Sequence, residues 1–139
     1  MKKVLIKIKG TQGIGEEKSV IEFATEGTFR SFEDEYIISY TDEQTVEGSK
    51  MRTQLTIKKG NTAVLERRGE LNSRLVITEG QRTNCLYSIP QGSLSIGIYG
   101  KEVICNLDEN GGTAKMVYTI DANLEPLSEN EVEITVKER

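Results

Sequence analysis

The sequence predicts an all-β protein, a single antiparallel closed barrel of about eight to ten short strands. Three observations carry that prediction. Apolar residues recur at every second position in most segments, the spacing that gives a strand one buried face. Turn signals built on glycine punctuate those segments at short intervals. No segment carries the three-to-four-residue apolar spacing of a convincing amphipathic helix.

At the N-terminus Val4, Ile6 and Ile8 alternate with Lys3, Lys7 and Lys9. Gly10, Gly13 and Gly15 then interrupt the run. A dinucleotide-binding loop needs G-x-G-x-x-G at the start of a helix, so that backbone N–H groups and the helix dipole face the phosphates. Here the spacing is G-x-x-G-x-G, so these glycines read as a turn. The segment that follows, GEEKSVIEF, fits one helical turn or a strand, with Val20, Ile21 and Phe23 as its apolar residues.

Later segments alternate more strictly. Tyr36, Ile38 and Tyr40 share one face. Met51, Thr53, Leu55 and Ile57 oppose Arg52, Gln54, Thr56 and Lys58. Ala63, Leu65 and Arg67 oppose Val64, Glu66 and Arg68, and Cys85, Tyr87 and Ile89 form another face. Ala114, Met116, Tyr118 and Ile120 precede a last strand with Val132, Ile134 and Val136 on one side. Turns are expected around Gly60, Gly69, Gly80 and Pro90–Gly92, and Asn110-Gly111 is the clearest hairpin signal. Pro90 and Pro126 fall at strand ends, where a missing N–H is tolerated. Sequential hairpins left open would expose two long edges, so the strands near Val4 and Val132 are expected to meet and seal the barrel.

The length of 139 residues suits one domain, 1–139, with its own core. The net charge of −4 disfavours contact with a phosphate backbone unless a basic patch is built. Lys7, Lys9, Arg52, Lys58 and Lys59 are outward residues that could form such a stripe, or simply blunt sheet edges; nucleic acid is not the expected partner. Lys7 and Lys9 break the only signal-like run, and no stretch is long and apolar enough for a membrane helix. Two cysteines make no disulfide framework, and a cytoplasmic protein is expected. The chain has no histidine, which removes the commonest general base, the usual triads and most zinc sites. No catalytic residue, metal site or cofactor follows from any motif, so an enzyme is not the expected reading.

The stretch from EYIISYTDE through LERRGE to the PQG turn resembles the YwiB-like family of small bacterial proteins of unknown function. The resemblance rests on Tyr36 and Tyr40, on the corner with Arg67 and Gly69, on Tyr87 and Gly92, and on the late MVYTIDANLEPLSENEVEITV strand pair. It implies a calycin-like (lipocalin-like) β-barrel and no activity. The Arg-x-Tyr element of fatty-acid-binding barrels is missing, and so is the lipocalin Gly-x-Trp start. A lipid-binding role would rest on fold analogy alone.

Such a barrel encloses either packed side chains or one small ligand. Arg67 shares its face with Ala63 and Leu65, so it is expected to point inward near the mouth. It would anchor a small amphipathic or anionic molecule, pair with a protein carboxylate, or snorkel to water. Tyr40, Tyr87 and Tyr118, with Thr53, either line a cavity around that ligand or fill the core. Cys85 and Cys105 sit in apolar alternation and read as small buried hydrophobes. Glu33–Glu35 and Asp42–Glu43 read as solvated loop ends. The leading expectation is therefore a small-ligand-binding barrel. The alternative is a solid barrel that acts as an interaction module, including with a second copy of itself.

Overall fold

In the computed structural model the alternating segments become ten strands wrapped into one closed antiparallel barrel. The structure describes residues 2–42, 51–58, 61–69, 72–89 and 91–139, without the side chains of residues 42, 51 and 87–89. The strands are β1 (Lys2–Ile14), β2 (Glu17–Ser31), β3 (Glu35–Asp42), β4 (Met51–Lys58), β5 (Thr62–Arg68), β6 (Ser73–Thr78), β7 (Arg82–Ile89), β8 (Gly92–Asp108), β9 (Gly111–Ala122) and β10 (Glu125–Glu138). Each pairs with its sequence neighbours, and β1 closes on β10 from Val4 opposite Glu138 to Gly13 opposite Glu129. Every odd strand therefore ends, and every even strand begins, at one end of the barrel, which we call the upper end.

GEEKSVIEF resolves as strand. Val20, Ile21 and Phe23 belong to β2, and Gly15 (φ 61°) makes the turn that the spacing predicts. The late hairpin differs by one residue from expectation. Asp108 pairs with Gly111, so the two-residue loop is Glu109–Asn110, and the Asp108 carboxylate accepts the Asn110 N–H at 2.8 Å. An acidic side chain that bonds the backbone two residues on does the work expected of positive φ at Asn110. Cys85 is buried, as expected, but Cys105 is exposed. The basic stripe is broken up: β1, with Lys7 and Lys9, is separated from β4, with Arg52 and Lys58, by β2 and β3. Lys59, Gly60, Glu43 and Pro90 lie outside the described residues.

The core is built from all ten strands. Val4, Ile6, Phe29, Ile38, Leu55, Ile57, Ile77 and Ile98 are almost fully enclosed, and Met116, Ile134 and Val136 complete the filling from β9 and β10. Alternation with period two puts these residues on the inner face of each strand. At the lower end, where β8 leaves β7 for β9, the register slips between Gly100 and Glu102. The slip is tied down by Glu79, whose carboxylate accepts the Val103 N–H at 3.1 Å and the Asn61 amide at 2.8 Å. A bulge bends its strand and tightens the local twist, which helps the long β8 serve two neighbours.

One polar fastener crosses three strands on the outer wall. Arg82 on β7 reaches over Gly97 on β8 to Asp121 on β9, with Nη2–Oδ1 2.6 Å and Nε–Oδ2 3.0 Å. A Cβ on Gly97 would lie 2.2 Å from the guanidinium, so glycine leaves the arginine its path. The Leu124 N–H also donates to Asp121 at 3.2 Å. The hydrogen bond from Arg82, helped by that N–H and by the charge of Arg82, holds the Asp121 carboxyl below its ordinary value, against the opposing pull of desolvation. A carboxyl depressed in the folded state stabilises fully above its unfolded value, about 4, and loses that contribution as pH falls through the lower folded value. Asp121→Asn is therefore expected to lower the thermal midpoint at neutral pH, and to lower it less as pH falls below about 4. Melting curves of both proteins between neutral pH and strong acid check this, and a constant difference would contradict it.

Candidate functional site

The hydrogen-bond register gathers four of the five expected site residues into one row. Gly27 on β2 lies opposite Tyr40, Tyr40 opposite Thr53, Thr53 opposite Arg67, Arg67 opposite Ser73, and Ser73 opposite Tyr87. The row runs around the upper part of the wall, close to where β3, β5 and β7 end. Strand alternation turns all these positions to the inner face. Thr53 is 2% exposed, set below the rim beside Leu55. Tyr40 is half-buried, its ring edge-on to Phe23 with centroids 6.1 Å apart. The side chain of Tyr87 lies outside the described residues.

Arg67 does not point into an enclosed interior. It is exposed, because β5 ends one residue later and the aliphatic stem carries the guanidinium past the packed layer. Tyr118 is not brought to this row either. It is buried on β9, four strands from β5 around the wall, opposite Gly100 and Asn130. Asn130 is buried as well and donates to the Ser128 hydroxyl at 3.0 Å. Tyr118 thus belongs to the filling of the barrel, among Met116 and Ile98.

Beside Arg67 the rim carries more positive charge than the sequence suggests. Arg52 and Arg68 lie directly opposite one another on the outer face of β4 and β5, and Arg74 on β6 lies opposite Glu66. Only Arg68 has an ion pair among the described residues, to Glu66 at 3.5 Å, and its side chain is largely exposed. Like charges directly across a sheet repel, and the Glu66 carboxylate offsets part of that repulsion at Arg68. An open depression of about 240 Å3 is lined by three arginines, Arg67, Arg68 and Arg74, with Glu66, Asn72, Ser73 and Leu86. Asn72 is held by the Gly69 N–H, which donates to its side-chain oxygen at 3.2 Å. Guanidinium groups present forked donors that match the geometry of a carboxylate or phosphate. Ser73 and Arg74 escape a reading of the sequence, because only the register of β5 against β6 brings them beside Arg67.

The family model described as "Domain of unknown function (DUF1934)" matches residues 6–134, nearly the whole chain. The chain belongs to the DUF1934 family. The crystal structure of the ywiB protein from Bacillus subtilis resembles this DUF1934 barrel with a TM-score of 0.85 and 20% sequence identity, over 99% of this chain and 92% of that one. At that identity the likeness concerns the fold, and it agrees with the calycin-like barrel that the motifs imply. The comparison with curated proteins gives no match.

Proposed function

We propose that this barrel binds a small anionic or amphipathic molecule at its upper mouth, with Arg67 as the anchor of the acid group. The observation that carries the reading is the arginine-lined depression. Arg67, without an ion pair among the described residues, stands beside Arg68 and Arg74, while the chain as a whole carries a charge of −4. Against an overall field that repels anions, a local cluster of guanidiniums is where an acid group would find attraction. Tyr40 and Thr53, in the same row, line the approach to the apolar interior, and the exposed Leu86 supplies an apolar contact for the rest of the ligand. Core residues from all ten strands occupy the interior, which supports a ligand on the rim. A cytoplasmic setting, where thiols stay reduced, suits the two free cysteines.

The test uses 8-anilinonaphthalene-1-sulfonate, an amphipathic sulfonate, with its chemical-shift footprint on labelled protein. The wild type is expected to bind it with shifts centred on Arg67, Ser73 and Thr53. Arg67→Ala should weaken binding about tenfold, as expected for a lost charge-assisted hydrogen bond, and Arg67→Lys should recover part. Equal binding by Arg67→Ala, or equal binding of uncharged N-phenylnaphthylamine, would overturn the reading.

A second reading has its own support. Core residues from all ten strands pack into the barrel, which suits an interaction module that carries no ligand.

A further inference from the structure

The wall is held unevenly around β6 and β7. β6 pairs with β5 from Thr62 opposite Thr78 to Arg67 opposite Ser73, and β7 pairs with β8 from Arg82 opposite Tyr99 to Ile89 opposite Gly92. Between β6 and β7 themselves, the only register pair among the described residues is Ser73 opposite Tyr87. Residues 73–78 and 82–89, the two banks of this junction, all belong to the described residues. Where the ladder lapses a side chain stands in for it, and the Val76 N–H donates to the Cys85 sulfur at 3.5 Å. A thiol sulfur is a weaker acceptor than the carbonyl oxygen of a ladder bond. Both ends of the junction are fastened. Ser73 and Tyr87 close the upper end. At the lower end the turn between the strands is bound to β8, where the Gly80 N–H donates to the Gly100 carbonyl at 2.8 Å and the Gly100 N–H to the Gln81 carbonyl at 3.2 Å. A Cβ on Gly100 would lie 2.4 Å from the Thr78 carbonyl oxygen, so glycine permits this close fastening.

We infer that the barrel opens sideways along this junction while the rest of the wall stays closed, with the Val76–Cys85 contact as the latch and the turn at Gly100 as the hinge. Local opening is cheapest where backbone bonds are fewest. Each bank keeps its other neighbour, so β6 moves with β5 and β7 with β8. Parting them gives up the Ser73–Tyr87 pair, the bond to sulfur and the packing between the banks. The joins on either side would each give up a run of consecutive pairs instead. Opening uncovers the inward residues Leu75, Ile77 and Cys85, all buried while the junction is closed. Ser73 and Arg74 on one bank and Leu86 on the other line the arginine-rich depression above, so the same movement widens that depression. The opening needs no ligand, and it stands whether or not the rim binds an acid.

Thiol labelling with N-ethylmaleimide, read by intact mass in a Cys105→Ser background, measures the opening at Cys85. The comparison is Val136→Cys in a Cys85→Ala/Cys105→Ser background. Val136 is buried and lies in continuous register between Ile6 on β1 and Gly112 on β9. Cys85 is expected to label at least about a hundredfold faster, at a rate almost independent of urea below the unfolding transition. The Val136→Cys thiol should label at a rate that rises steeply with urea. Labelling of Cys85 no faster than the comparison, with the same steep dependence, overturns the proposal. Amide exchange in the wild type gives a second reading. Successive N–H groups of a strand point to opposite neighbours, so Val76 faces β7 while Leu75 and Ile77 face β5. Val76 should exchange at least about tenfold faster than both, and equal protection of the three overturns the opening. Cys85→Ala should speed exchange at Val76 about threefold further, with little change at Leu75 and Ile77. No change at Val76 would overturn the latch.

Discussion

Phe29→Ala is expected to cost about 4 kcal/mol of unfolding free energy, the largest loss of any single truncation in this barrel. Phe29 is 1% exposed and is the largest of the fully enclosed side chains. It lies opposite Ile38 on β3, and its ring stacks on Tyr36 with centroids 6.0 Å apart and planes 4° from parallel. Removing it deletes the transfer energy of an aromatic ring and the stacking contact, and leaves a void in the lower part of the barrel. The wall around it is a closed hydrogen-bonded ladder, which collapses poorly into a void, so the cavity term adds in full. For a chain of this size the thermal midpoint should fall by roughly 12 °C. Phe29→Leu keeps most of the volume and should lose less than half as much. Urea unfolding with an unchanged slope would confirm that the loss lies in the folded state. A cost below about 1 kcal/mol would mean that the interior is not packed as described.

Gly27→Val is the second large effect, and it acts by excess instead of loss. Gly27 faces inward on β2, and a Cβ there would lie 2.2 Å from the Ser39 carbonyl oxygen and 2.6 Å from the Ile6 side chain. The first contact is backbone, so relief requires β2 and β3 to part where they pair, from Gly27 to Ser31. That short pairing is the only join between β2 and β3 among the described residues, and opening it would unzip the barrel from the hairpin side. A cost of about 3 kcal/mol is expected, at the upper end of the usual range for overpacking. Gly10, on the neighbouring strand, has open space where its Cβ would go, so Gly10→Ala should be close to neutral. A stability difference below about 1 kcal/mol between Gly27→Val and Gly10→Ala would refute this account of the close approach.

The architecture was readable in the sequence because its cause is local. Val4, Ile6 and Ile8, or Ala114, Met116 and Tyr118, need only alternate to declare one buried face, and the seal between β1 and β10 follows from the cost of open edges. The candidate site was half readable for the same reason. Alternation puts Tyr40, Thr53 and Arg67 on inner faces, but it does not say how high on the wall each one stands. Arg67 was expected to point inward near the mouth and is exposed on the rim, because depth depends on where β5 ends. Arg74 and Ser73 were invisible, since their place beside Arg67 is a matter of strand register across a turn. The exposure of Cys105 has the same origin. It shares the inner alternation of Val103 and Leu107, yet the position of β8 in the wall leaves it open to water.

The seam between the first and last strands has a consequence for how the chain reaches its shape. Nine of the ten ladders join segments that leave the ribosome one after the other, whereas Ile6 meets Val136 across 130 positions. Loop closure over that distance is entropically slow, so the curved sheet must wait, unsealed, for β10 to be synthesised. During that wait the inner face of β1 is exposed in a growing polypeptide, and its alternating lysines, Lys3, Lys7 and Lys9, keep neighbouring nascent chains from annealing to it.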